Sequence, residues 1–67
     1  MPSIQLNGQP HPLESPLPLP ALLQSLGLEG KPLVIELNNQ ALLREEYPTL
    51  TIKPGDSLEI VTLAAGG

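Results

Sequence analysis

The 67-residue chain contains no cysteine. Without a thiol it cannot form a disulfide, a thiolate metal site or a cysteine nucleophile. Basic residues are also scarce: three face seven acidic ones, for a net charge of −4, which argues against binding a nucleic-acid backbone. No apolar run approaches the ~20 residues that span a membrane, and no cationic and apolar leader opens the chain. We therefore expect a soluble cytoplasmic protein without a membrane partner.

Few residues are placed in the sequence so that they could perform acid–base or metal chemistry. The single histidine, His11, lies between two prolines and has no evident partner for general-base catalysis. Glu45 and Glu46 are adjacent, so they point in different directions rather than forming a paired acid and base. Asp56 follows Pro54-Gly55 and suits a turn better than a metal site. We expect no catalytic residue, no metal site and no enzyme activity of the chain's own.

The first half of the chain predicts a hairpin followed by a helix. Residues 4–7 alternate apolar and polar, and Asn7-Gly8 favours a two-residue type I′ turn. The return strand, residues 9–13, carries two prolines and therefore suits a sheet edge. Four leucines then repeat at helical spacing, with Gly27 as the C-terminal cap and a helix start near Pro20. These four are Leu19, Leu22, Leu23 and Leu26.

The second half predicts strands and turns. Strands are expected at residues 33–37, 40–43 and 57–63, a two-residue turn at Asn38-Asn39, a helical turn or loop at 44–47 and a type II turn at Pro54-Gly55. The order is β-β-α-β-β-β, an α+β fold in which one helix covers one face of a mixed sheet of about five strands. The first and last strands are expected side by side at the centre. The predicted core is Ile4, Leu6, Leu22, Leu26, Ile35, Leu37, Leu58 and Ile60.

The carboxyl end is the strongest clue to function. We divide the chain into a domain, residues 1–63, and a flexible tail made of Ala64, Ala65, Gly66 and Gly67. Glycine lacks a Cβ, so a terminal Gly-Gly can thread a narrow channel and present its carboxylate to another protein. Val61 and Leu63 lie on the strand face opposite Leu58 and Ile60, and we expect them to form a docking patch. The alternatives are an inert tail and ordinary exposed aliphatic residues.

Together the strand order and the terminal Gly-Gly resemble a ubiquitin-like β-grasp protein of the ThiS family, the sulfur carriers of thiamin biosynthesis. The resemblance covers nearly the whole chain. Its individual motifs are short, and their order makes the match specific. They are IQLNGQ at 4–9, LLQSL at 22–26, IELNNQ at 35–40, REEY at 44–47, GDSLEIV at 55–61 and the tail.

The resemblance implies that the carboxylate of Gly67 carries sulfur. A ThiF-like adenylating enzyme would activate it with ATP and Mg²⁺, while the chain itself, a monomer when free, binds no cofactor. A cysteine desulfurase or another donor would supply sulfur to form a thiocarboxylate. A ThiG-like thiazole synthase would then receive the sulfur. Two alternatives stay open: the small subunit of molybdopterin synthase, usually longer and richer in phenylalanine, and an interaction module that carries nothing.

Overall fold

The structure, a computed structural model, describes residues 2–63. It contains seven strands, one α-helix and one 3₁₀ helix within that range. In chain order these are β1 (Ser3–Leu6), β2 (Gln9–Pro12), β3 (Leu17–Pro18), α1 (Leu19–Ser25), β4 (Leu33–Leu37), β5 (Gln40–Ala41), the 3₁₀ helix (Arg44–Thr49), β6 (Thr51–Ile52) and β7 (Ser57–Thr62). No helix in the described range is long and apolar enough to cross a membrane.

Five strands form a mixed sheet in the order β2-β1-β7-β4-β5. Strand β1 runs parallel to β7, and the other neighbours are antiparallel. The first and last strands are therefore adjacent at the centre, as predicted. A parallel pair needs a crossover, and α1 lies on that connection and packs its leucines into the core. This is the predicted ubiquitin-like α+β architecture.

Two hairpins turn through residues in the left-handed region. Asn7 and Gly8 have φ of 52° and 80°, and Leu6 pairs with Gln9 across the turn. Asn38 and Asn39 have φ of 51° and 70°. Asparagine and glycine tolerate this conformation, which a type I′ turn requires at both central positions. Both predicted two-residue turns are confirmed.

The helix ends as its sequence indicates. Gly27 has φ of 74°, its N–H donates to the Gln24 carbonyl at 3.1 Å, and the Leu28 N–H donates to the Leu23 carbonyl at 2.9 Å. These two bonds form a Schellman cap, which satisfies carbonyls that the helix leaves without partners. Pro20 lies in the first turn. The predicted start and the predicted cap are both confirmed.

The core differs from the predicted list in two ways. Leu6, Leu26 and Leu37 are only half-buried, since each lies at the margin of the helix–sheet interface. Five further residues are buried that the list lacks: Leu13, Leu19, Leu23, Leu33 and Ile52. The other predicted residues, Ile4, Leu22, Ile35, Leu58 and Ile60, are buried as expected.

A second small sheet, β3 with β6, is absent from the predicted order. Leu17 pairs with Ile52, and the Leu19 N–H donates to the Leu50 carbonyl at 2.9 Å. Strands of two residues have no hydrophobic period, so only their tertiary pairing reveals them. Other strand ends shift too. Strand β2 stops at Pro12, β5 stops at Ala41, and β7 stops at Thr62.

The Asn7 side chain extends the contact between β1 and β7. The paired residues end at Leu6 and Leu58. Beyond them the Asn7 Oδ1 accepts from the Ile60 N–H at 2.7 Å, and its Nδ2 donates to the Ile60 carbonyl at 3.1 Å. One amide therefore satisfies both backbone groups of a residue in β7. The turn of the first hairpin therefore also holds the central strand, β7, in place.

We predict that Asn7→Gly destabilises the protein by about 2 kcal/mol, because two hydrogen bonds of about 1 kcal/mol each are lost while the positive φ stays favourable. For a domain of this size that corresponds to a fall in Tm of roughly 8–16 °C. Thermal melting followed by circular dichroism measures it. Asn39→Gly is the matched control, since it makes the same change at a positive φ in the other turn. Equal melting of the two variants would contradict the role of the Asn7 amide.

Candidate functional site

The candidate site is the carboxyl end of β7 and the surface around it. Ala64, Ala65, Gly66 and Gly67, predicted as the functional tail, lie outside the described residues. The last described residue, Leu63, donates its N–H to the Pro32 carbonyl at 2.9 Å. Backbone pairing with the segment before β4 therefore continues one residue past the end of β7. The last described residue is therefore held in a fixed position on the domain.

The start of β7 is held as firmly as its end. The Asn38 N–H donates to the Ser57 carbonyl at 2.7 Å, and the Ser57 N–H donates to Asn38 Oδ1 at 2.9 Å. Asp56 accepts from the Lys53 N–H at 2.8 Å and from Asn38 Nδ2 at 3.3 Å. Gly55 has φ of 94°, and the Asp56 N–H donates to the Lys53 carbonyl, so the predicted type II turn is confirmed. Asp56 is a turn residue, as expected.

The open face of the sheet carries an apolar surface next to the chain's exit. Val61 pairs directly with Val34. Continuing the β4–β5 register from Glu36 and Ala41 places Leu43 opposite Val34. Leu63, two residues after Val61, follows on the same side. We call these four residues, which are the large hydrophobic residues exposed in the described range, the exit patch: Val34 (46% exposed), Leu43 (62%), Val61 (57%) and Leu63 (50%).

The structure places the two predicted docking residues, Val61 and Leu63, at the surface and together. Their docking role stays a prediction. Val34 and Leu43 were missed, although Val34 alternates with the buried Leu33 and Ile35. The alternation within one strand does not predict Leu43, because only the pairing of its segment with β4 brings it beside Val34. Apolar residues gathered in one area mark interaction sites more strongly than scattered ones do.

An acidic pair borders the exit patch. Glu36 and Glu59 pair directly across β4 and β7, one step further along the open face than Val34 and Val61. Both side chains are exposed. Like charges directly opposite each other in a sheet destabilise it, with Cβ atoms about 4.5–5.5 Å apart. The surface beside the exit thus combines an apolar patch with concentrated negative charge.

The remaining polar candidates have structural surroundings. His11 is half-buried in β2 opposite Ile4. Glu46 accepts the Leu43 N–H at 3.2 Å through Oε2 and so caps the start of the 3₁₀ helix. Across residues 2–63, no group of three His, Cys, Asp or Glu side chains is arranged to hold a metal ion.

The chain is similar to known proteins over nearly its whole length. The model of the ThiS family matches residues 4–67. A sulfur carrier protein ThiS from Thermus thermophilus is 39% identical over 64 residues, covering 96% of this chain and 98% of that protein. The crystal structure of a thiamine biosynthesis protein (ThiS) from Geobacter metallireducens superposes with a TM-score of 0.81. It is 29% identical and covers 97% of this chain and 99% of that one.

A third relative is a longer protein. A thiazole synthase from Magnetococcus marinus is 33% identical over 64 residues, which cover 96% of this chain but 20% of that protein. In that relative, a segment similar to nearly the whole of this chain is part of the same polypeptide as a much larger region.

The strand faces lead to a prediction about the free protein. Val61→Asp leaves a solvated charge and should change the free energy of unfolding by no more than about 0.5 kcal/mol. Ile60→Asp, at the neighbouring buried position, places an unpaired charge in the core and should unfold the domain. Chemical denaturation followed by circular dichroism compares the two. Unfolding by Val61→Asp would show that the face assignment is inverted.

Proposed function

Because the chain belongs to the ThiS family, we propose that it carries sulfur for thiamin biosynthesis on the carboxylate of Gly67. The observation that carries this proposal is the match to the family through residue 67, the last residue of the terminal Gly-Gly. The relative from Thermus thermophilus bears the name of a sulfur carrier protein. In this role the chain is a carrier and not an enzyme.

The chemistry explains why a partner with ATP is required. A carboxylate resists nucleophilic attack, because its negative charge repels a nucleophile and oxide is a poor leaving group. A ThiF-like adenylating enzyme with ATP and Mg²⁺ converts the Gly67 carboxylate into an acyl-adenylate and releases pyrophosphate. Hydrosulfide displaces AMP directly and leaves a thiocarboxylate. If a cysteine desulfurase supplies the sulfur as a persulfide, its attack displaces AMP to give an acyl disulfide, and a thiol reductant then cleaves the S–S bond, leaving the thiocarboxylate and being oxidised to a disulfide. The nucleotide and the metal ion belong to the partner.

The chain's own contribution is a narrow tail on a fixed base. Ala64, Ala65, Gly66 and Gly67 carry no side chain larger than a methyl group, so they fit a channel that excludes larger residues. Fully extended, four residues span roughly 13 Å. The base is β7, which is paired on both edges and holds Leu63 against Pro32. The start of the tail is therefore at a fixed position relative to the surface that a partner binds.

The exit patch is the proposed docking surface for the proteins that receive the tail. It lies beside the exit, and its four apolar side chains are exposed on one face. Covering it removes apolar area from water, which favours association by roughly 25 cal/mol per Å² before the entropy of association is subtracted. Glu36 and Glu59 at its border favour a partner with basic groups there. These features support docking through the open face of the sheet.

Thiazole synthase is the proposed acceptor of the sulfur. The relative from Magnetococcus marinus carries the name thiazole synthase and contains a segment similar to this chain. A single polypeptide keeps the two parts at high effective concentration.

The match to the ThiS family favours the thiamin pathway over the small subunit of molybdopterin synthase. The chain also lacks phenylalanine altogether. A carrier is favoured over an inert interaction module by the relative named as a sulfur carrier.

Deleting Gly66-Gly67 should abolish sulfur loading while leaving the fold intact, because β7 ends at Thr62 and the buried core of residues 2–63 extends no further than Ile60. Intact mass after incubation with the adenylating enzyme, ATP, Mg²⁺ and a sulfur donor measures thiocarboxylate formation. Melting curves of the full and shortened chains serve as the folding control. A shortened chain that still gained sulfur would refute the assignment to Gly67.

Val61→Asp or Leu63→Asp should weaken binding of the adenylating enzyme by about tenfold or more, or about 1.4 kcal/mol, since the complex buries an unpaired charge. Isothermal titration calorimetry measures the dissociation constants. Thr51→Asp, an exposed position outside the exit patch, is the matched control. Unchanged binding by both patch variants would show that the docking surface lies elsewhere on the domain.

The sulfur-loaded protein should support thiazole formation and not dithiolene formation. Partner surfaces must make this distinction, because both kinds of carrier share the tail. The loaded chain is offered separately to thiazole synthase with its other substrates and to the large subunit of molybdopterin synthase with its precursor. Transfer in the second reaction alone would overturn the pathway and leave the carrier mechanism in place.

A further inference from the structure

A groove of about 430 Å³ lies on the helix-covered side of the sheet and is lined by residues of α1, the 3₁₀ helix and the segment that leads into β4. Lys31 and Arg44, two of the three basic residues of the chain, line it. Its apolar wall includes Leu23, Leu33 and the single tyrosine, Tyr47. Among the described residues, none that lines the groove is acidic. We call it the basic groove.

The charge of the basic groove contrasts with that of the whole chain. The net charge is −4, and the third basic residue, Lys53, lies before β7 at the opposite end of that strand. Two of the three cations of the chain therefore line one groove, while the nearby Glu29 and Glu45 are not among its lining residues. Cations beside an apolar wall suit a ligand that carries carboxylates.

The position of the basic groove links it to the tail. Leu63 donates its N–H to the carbonyl of Pro32, and Pro32 itself lines the groove. Lys31 is the next residue along that segment. Neighbouring strands lie about 4.8 Å apart, so a position two strands from β7, where Arg44 follows β5, is roughly 10 Å away. This is close to the Debye length of ~8 Å at physiological ionic strength. The attraction of both cations for a protein that receives the chain beyond Leu63 is therefore partly screened at physiological salt and stronger at low salt.

We propose that the basic groove binds carboxylate side chains of thiazole synthase at the rim of the opening that admits the tail. The proposal rests on the proposed function. Thiazole synthase is chosen over the adenylating enzyme because the relative from Magnetococcus marinus places a similar segment and a thiazole synthase in one polypeptide. The exit patch and the basic groove flank the exit from opposite faces of the sheet. The patch supplies apolar contact, and the groove sets orientation and association rate.

The test compares charge reversals that alter net charge equally. Lys31→Glu and Arg44→Glu reverse the charge of the groove, and Lys53→Glu is the matched control. All three side chains are exposed, so the fold should persist, which circular dichroism checks. Binding to a separate thiazole synthase is measured by surface plasmon resonance at low and high ionic strength. We expect each groove variant to bind about tenfold more weakly at low salt, mostly through slower association, and the control to stay within about twofold of the wild type. The difference should shrink at high salt.

Two outcomes would overturn the inference. Groove variants that bind thiazole synthase like Lys53→Glu would show that only net charge matters. Groove variants that lose binding to the adenylating enzyme alone would assign the groove to that partner instead. Sulfur loading of the wild type is measured in parallel by intact mass. If the wild type gains no sulfur, the proposed function is wrong. If the wild type gains sulfur but the groove variants bind thiazole synthase as well as the control does, only the role of the basic groove is wrong.

Discussion

The rest of the structure depends on how β7 is held at the centre of the sheet. It has β1 on one edge and β4 on the other, and the two flanking hairpins each direct an asparagine side chain at it. Asn7 binds the backbone of Ile60, and Asn38 binds that of Ser57. Each asparagine also occupies a left-handed turn position. Each asparagine thus has two roles: it forms the turn of its hairpin, and its side chain binds the backbone of a neighbouring strand.

This anchoring determines what the domain can offer a partner. If a carboxylate stood at the end of a disordered chain, binding would have to order that chain, at an entropic cost of about 1–2 kcal/mol per residue. Here the position of Leu63 is already fixed, because its N–H donates to the Pro32 carbonyl. The exit patch and the basic groove lie on the two faces of the sheet at the same end. Both surfaces proposed for partner binding are therefore close to Leu63, the last described residue.

Local chemistry allowed much of this fold to be predicted. The turn at Asn7-Gly8, the helix with its cap at Gly27 and the alternation of β7 each follow from a few neighbouring residues. The failures have a different origin. Ile52 is buried because β6 pairs with β3, and Leu43 joins the exit patch because β5 pairs with β4. Such pairings depend on register between distant segments, which no short window of sequence contains.

The facing carboxylates of Glu36 and Glu59 also bear on self-association. An exposed apolar patch is a hazard, because a second copy of the same chain carries the same patch and can cover it. If two copies met with these open faces together, two such pairs would enter one interface, and four negative charges would lose their water. A partner with basic groups in that place meets attraction instead. In the proposed docking role, the glutamate pair would let the patch bind another protein while opposing contact between two copies of the chain.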